Sequence, residues 1–106
     1  MYNIGNAKFF DFDWDEGNRK KCKKHGVTNE EIEFLILSSP DVFFDEKHSS
    51  ELEERFLAIG QNHIGRYLMV VFTFREKEGE KYIRPISARY MHKKEVDYYE
   101  KENPDF

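Results

Sequence analysis

The segment Ile83-Arg84-Pro85-Ile86-Ser87-Ala88-Arg89, with Lys93, Lys94 and Glu95 close behind it, sets cationic side chains around a small Ser-Ala pair at the end of a strand-rich half. A guanidinium is a planar fork of donors that stays charged at any working pH. Several of them on a rigid sheet make a site for phosphate or carboxylate, and phosphate is the better match. Arg55 shares a strand face with Leu57 and Ile59, and Arg84 shares one with Tyr82 and Ile86, so each cation stands in an otherwise apolar row. A single strand-end arginine more often packs its stem and leaves its head in water; their number argues for a site. Arg75 falls on the face of Tyr67, Met69 and Val71, opposite Arg66, and is preferred to Arg66 as a member of one cleft. Arg89 follows Ser87-Ala88 where the chain turns toward a helix whose N-terminal amides favour anions, and it is the leading single candidate.

His25 offers an imidazole for general acid or base work, and Lys24 beside it can steady a developing negative charge. The same Lys-His-Gly run suits the end of a helix without any catalysis, and that capping role stands slightly ahead. Glu53 and Glu54 precede Arg55 as possible bases, or as ordinary ion-pair partners. His48, His63 and His92 are scattered through loops without metal-ligand spacing. The chain has no His-Glu-x-x-His, glycine-rich phosphate loop or nucleophile elbow, so no metal and no cofactor are expected.

The elements that must carry these groups follow from periodicity and punctuation. Phe10 to Trp14 alternates aromatic and acidic residues, a strand pattern, and Asp15 then caps a helix that runs to about His25 and stops at Gly26. Thr28-x-x-Glu31 is a capping box that opens a second helix, closed by Ser38-Ser39-Pro40. Asp41 to Asp45 reads as a short strand and Glu46 to Ser50 as a mobile surface link. Arg55 to Gly60 and Arg66 to Phe74 form a hairpin about Asn62 to Gly65. A charged loop over Glu76 to Lys81 leads to a strand over Tyr82 to Ala88, in which Pro85 marks an edge or a bulge. Met91 to Glu102 reads as a final helix, ended by Asn103-Pro104. The expected fold is α+β: an N-terminal strand and two helices, an antiparallel four-strand meander, and a C-terminal helix.

At 106 residues the chain is expected to form a single domain over 1–106, with its core over about 10–99 and short extensions at either end. No apolar run approaches the roughly 20 residues that cross a bilayer. With no export signal and one cysteine, Cys22, a reducing cytoplasm is the expected compartment and no membrane is involved. The net charge of −4 argues against binding nucleic acid through an overall field. The charge is blocked, however. Arg19 to His25 and Arg66 to Lys94 are basic in balance, while Glu30 to Glu54 and Glu95 to Asp105 are acidic, so one positive face is possible.

Read in order, Phe12-Asp13-Trp14-Asp15-Glu16, Lys24-His25-Gly26-Val27, Glu54-Arg55-Phe56, Gly65-Arg66-Tyr67-Leu68, Val70-Val71-Phe72-Thr73, Ile83-Arg84-x-Ile86-Ser87-Ala88-Arg89 and Lys94-Glu95 to Tyr99 make a chain that resembles the BrnT toxin family. The resemblance spans about Phe10 to Tyr99. It implies a RelE-like fold and a small bacterial ribonuclease of a type II toxin-antitoxin module, neutralised by a ribbon-helix-helix antitoxin, BrnA. DNA is then touched only through the antitoxin complex. The implied reaction is metal-independent RNA cleavage, in which the substrate's 2′-hydroxyl attacks the adjacent phosphate. On the matching positions the catalytic set is Lys24, His25, Arg55, Arg84 and Arg89, with Arg75 and Glu54 as substrate-binding members. The chain departs from the family pattern at Asn18, Cys22, Asn29, Ile32 and Pro85. A ribonuclease is the first expectation; a non-catalytic module that keeps the antitoxin-docking surface and has lost turnover is the alternative.

Overall fold

The computed structural model describes residues 1–102; the expected stop at Asn103-Pro104 lies outside them. Helix α1 (Glu16–Lys23) begins where Asp15 and Asn18 exchange hydrogen bonds. The Asp15 carboxylate accepts the Asn18 N–H at 3.0 Å, and the Asn18 side chain accepts the Asp15 N–H at 2.7 Å. Lys20, Lys21 and Lys23 occupy the last turn, at the negative end of the helix dipole, and Gly26 takes φ +85° to reverse the chain. Helix α2 (Asn29–Leu37) opens on the expected Thr28/Glu31 capping box. Helix α3 covers Lys93–Glu102.

The α+β class stands, but the strands are arranged differently from the expected single strand followed by a four-strand meander. Strands β1 (Tyr2–Ile4) and β2 (Ala7–Phe9) form a separate two-stranded hairpin, and the expected Phe10 to Trp14 strand shrinks to β3 (Asp11–Phe12). With β4 (Asp41–Phe44), β5 (Phe56–Gln61), β6 (Tyr67–Lys77) and β7 (Glu80–Tyr90), β3 builds a five-stranded mixed sheet in the order β3-β7-β6-β5-β4. Pairing from β4 through β7 is antiparallel, and β3 joins β7 in parallel. The hairpin turns at Gly5-Asn6, where Gly5 has φ +57°, and it delivers Ile4 and Phe9 into the core. In place of the charged loop over 76–81, Glu78 and Gly79 alone make the turn, at φ 51° and 79°. Both positive values match the twist of the flanking strands, so β6 and β7 each run for 11 residues.

A bulge lies in β7, as Pro85 suggests. Val71 faces Ser87 but Phe72 faces Pro85, leaving Ile86 without a partner. Proline has no N–H for the ladder, so the break falls there. The Asn18 amide, 4% exposed, donates to the carbonyls of both Pro85 and Asp13 at 2.9 Å and ties α1 to the bulge. Strict alternation would send Arg84 and Arg89 to opposite faces. The extra residue puts both on one face, where Arg84 stands opposite Thr73 and Arg89 opposite Met69.

One face of the sheet packs Ala58, Leu68, Val70, Phe72, Ile83 and Ala88 against Cys22, Val27, Ile32, Leu35 and Ile36 of the helical layer. Each large apolar side chain buried there contributes about 1.5–3 kcal/mol. On the other face α3 covers one end, where Tyr99, Met91 and Val96 gather Ile59 and Tyr67 into a smaller cluster with Leu57 and Met69. The remainder of that face, which carries the arginines of β7, is open.

Candidate functional site

The open part of the face holds a cavity of about 400 Å³ lined by His25, Asp45, His48, Leu57, Met69, Val71, Ser87, Ala88 and Arg89. Its apolar floor comes from alternate residues of β5 and β6. His25 reaches it from the reversal after α1. Arg89 enters from β7 and is gripped by α3, with Nη1 2.8 Å from Glu95 Oε1 and Nη2 2.7 Å from Oε2. Glu95 also accepts the His92 N–H at 2.9 Å, which seats it at the head of α3. The two hydrogen bonds from Arg89, with the His92 N–H behind them, hold the Glu95 carboxyl down at about 2. The same pairing raises Arg89.

His48 belongs to this cavity, although its isolated position in the sequence gave no reason to choose it. Its Nδ1 lies 2.8 Å from Asp45 Oδ2, while its backbone N–H reaches Asp45 Oδ1 at 3.3 Å. The link expected to be mobile is stitched. Ser49 Oγ donates to the Asp45 carbonyl at 2.6 Å and accepts the Arg55 N–H at 2.8 Å, and Asp45 N–H bonds the Arg55 carbonyl at 2.9 Å. The available signal was the spacing Asp45-x-x-His48-Ser49, in which an aspartate organises its own turn.

The other candidates lie outside the cavity. Arg55 and Arg75 meet through Glu53, whose oxygens accept from Arg55 Nε and Arg75 Nη2 at 2.9 Å each. Glu54, with an exposed side chain, accepts the Thr73 hydroxyl through its backbone carbonyl at 2.7 Å. Arg84 is paired with Asp15 at 2.9 Å and more loosely with Asp13 at 3.5 Å, and Lys77 lies 2.7 Å from Asp13. The Asn18 N–H and then Arg84 lower Asp15, while the hydrogen bond that Arg84 donates to Asp15 raises Arg84. Lys24 is exposed beside Gly17, Lys20 and Lys21 on the outer side of α1, apart from the cavity that its neighbour His25 lines. Arg66, on the helical face, stacks over the Tyr90 ring at 3.6 Å.

The structure therefore brings His25 and Arg89 together, adds His48 and Asp45, and leaves Arg55, Arg75 and Arg84 as ion-paired cations elsewhere. Two imidazoles and a guanidinium around an apolar floor can move protons beside an anion. Next to them, sharing Met69 and linked through the Arg89–Glu95 pair, a groove of about 380 Å³ runs between α3 and the sheet, bordered by Tyr98 and Lys94. Among the described residues no group of three or more His, Cys, Asp or Glu is placed to hold a metal ion, and no helix is long and apolar enough to cross a membrane. A family model described as ribonuclease toxin, BrnT, of type II toxin-antitoxin system matches residues 14–95. No curated protein matches the chain.

Proposed function

The chain belongs to the BrnT family of ribonuclease toxins of type II toxin-antitoxin systems, and from that premise we propose that the open-face cavity is where it cleaves RNA, by attack of the substrate's own 2′-hydroxyl and without a metal. The observation that carries this reading is the placement of His25 and Arg89 in one cavity over an apolar floor. The phosphorane formed in such a reaction holds more negative charge than the ground state. A fixed guanidinium beside it therefore stabilises the transition state more than the substrate. Glu95 fixes Arg89 by occupying one edge of its fork. Nη1 also donates to the Tyr90 carbonyl at 3.3 Å, so Nε and the second N–H of Nη2 meet the phosphate.

Arg55, Arg75 and Arg84 then take phosphates on either side of the scissile one, as charge lying along a single-stranded backbone. Lys24 adds to the basic outer surface of α1, and Glu54 serves through its carbonyl contact to Thr73. Tyr98 is 70% exposed at the lip of the α3 groove and offers a ring on which a neighbouring base stacks. The whole arrangement acts as one RelE-like domain on cytoplasmic RNA. Its partner is a BrnA-like ribbon-helix-helix antitoxin that covers the basic face.

One observation favours a second reading, a module that binds its partner without turnover. Each arginine of the set already faces a carboxylate: Arg89 faces Glu95, Arg55 and Arg75 share Glu53, and Arg84 faces Asp15. Incubating the purified chain with a structureless RNA in EDTA tests the choice. Fragments ending in 2′,3′-cyclic phosphate support the ribonuclease. Intact RNA together with tight antitoxin binding supports the module.

A further inference from the structure

The cavity contains a proton-transfer group that neither the arginines nor His25 accounts for. Asp45 is 13% exposed at its side chain while His48 is 53% exposed, so a largely covered carboxylate holds an accessible ring. Ordinary surface ion pairs leave both partners mobile and in water. Here Asp45 grips His48 twice, at the backbone N–H and at Nδ1, and Ser49 anchors the carbonyl of Asp45 itself. Because a carboxylate accepts the proton on Nδ1, the ring keeps a single tautomer and presents Nε2 as its working nitrogen. The ring borders the same cavity as Arg89, His25 and Ser87. The ionisable groups around it are Asp45 from the end of β4, His25 from beyond α1, and Arg89 from β7 with its partner Glu95.

We propose that His48, oriented by Asp45, is the general acid of RNA cleavage in this cavity, paired with His25 as the base; this rests on the ribonuclease reading above. Asp45 faces the ring as a counter-charge, which suits the imidazole that enters the reaction carrying the extra proton. His25 takes the proton of the 2′-hydroxyl as the 2′-oxygen bonds to phosphorus. The bond from phosphorus to the 5′-oxygen then breaks, and His48 gives that oxygen its proton through Nε2. The products are a 2′,3′-cyclic phosphate and a 5′-hydroxyl. One imidazole has gained the proton that the other supplied, and exchange with water resets both. Asp45 is a positioning residue.

The test compares two substrates, a short RNA whose leaving group is a 5′-alkoxide and uridine 3′-(4-nitrophenyl phosphate), whose leaving nitrophenolate needs no proton. Wild type, His48→Ala, Asp45→Asn and His25→Ala are assayed after thermal melts show that each is folded. General acid catalysis contributes about 10²–10⁴-fold. His48→Ala should therefore fall at least about 100-fold in kcat on RNA and far less on the nitrophenyl ester, with Asp45→Asn following it in part. His25→Ala should fall on both. The proposal is overturned if His48→Ala cuts RNA like wild type, or if it loses both substrates equally. Wild type that cuts neither substrate removes the ribonuclease reading as well, which separates that failure from the others.

Discussion

Arg89 and Glu95 meet as two parallel forks, 2.8 and 2.7 Å apart, and this joins the candidate phosphate-binding strand to the head of α3. Glu95 is depressed in the fold to about 2 from an ordinary 4.5. A carboxylate with a depressed folded value binds fewer protons in the fold than in the unfolded chain. Its contribution is present above about pH 4.5 and lost as pH falls toward 2. Glu95→Gln should therefore flatten the acid limb of a stability profile between those values. Urea unfolding of both proteins at a series of pH values measures it. The same variant should lower RNA cleavage by roughly tenfold, because an amide at this position can accept only one of the two hydrogen bonds that hold Arg89.

Glu53 accepts from Arg55 and Arg75 at once. Glu53→Gln should release both and tighten binding of a non-cleavable 2′-deoxy strand, with a steeper salt dependence. The log-log slope should grow by about 0.7 for each phosphate newly neutralised. Fluorescence anisotropy at several salt concentrations measures this, and an unchanged slope would show that neither cation reaches the nucleic acid.

Asn18 closes the capping box of α1 by accepting the Asp15 N–H and holds the bulge through the Pro85 and Asp13 carbonyls. Asn18→Ala removes the side-chain half of the capping box and strands buried carbonyls, at a cost of about 2–4 kcal/mol in urea unfolding. A loss under about 0.5 kcal/mol, the range of ordinary surface substitutions, would mean that the bulge holds without this tie.

Cys22 is fully buried, and burial pushes its thiol up to about 11. It should resist iodoacetamide at pH 8 in the native protein and react once urea unfolds the chain. Mass spectrometry of the alkylated protein reads the outcome.

Local chemistry made the helices legible. Thr28 with Glu31, Asp15 as a cap and Gly26 as a stop each act within a few residues. The N-terminal hairpin was missed because its strands are only three residues long, although Gly5-Asn6 is a turn dipeptide. The Glu78-Gly79 turn was hidden in a charged stretch that reads as solvent-exposed loop. Parity placed Arg75 apart from Arg66 but could not locate the slip at Ile86, and only that slip puts Arg84 and Arg89 on one face. His25 and Arg89 were visible as residue types. His48 was not, because its role depends on a loop folded back by Ser49. The ion pairs that hold Arg84 and Arg55 to specific carboxylates depend on packed geometry that periodicity does not encode.

Cleavage of a structureless RNA in EDTA by wild type, Arg89→Ala and His25→Ala, each confirmed to be folded, bears most directly on the cavity as the site of reaction. The expected result is cleavage by wild type that leaves 2′,3′-cyclic phosphate ends and is reduced by at least about 100-fold in both variants. Undiminished cleavage by either variant, or none by wild type, would contradict it.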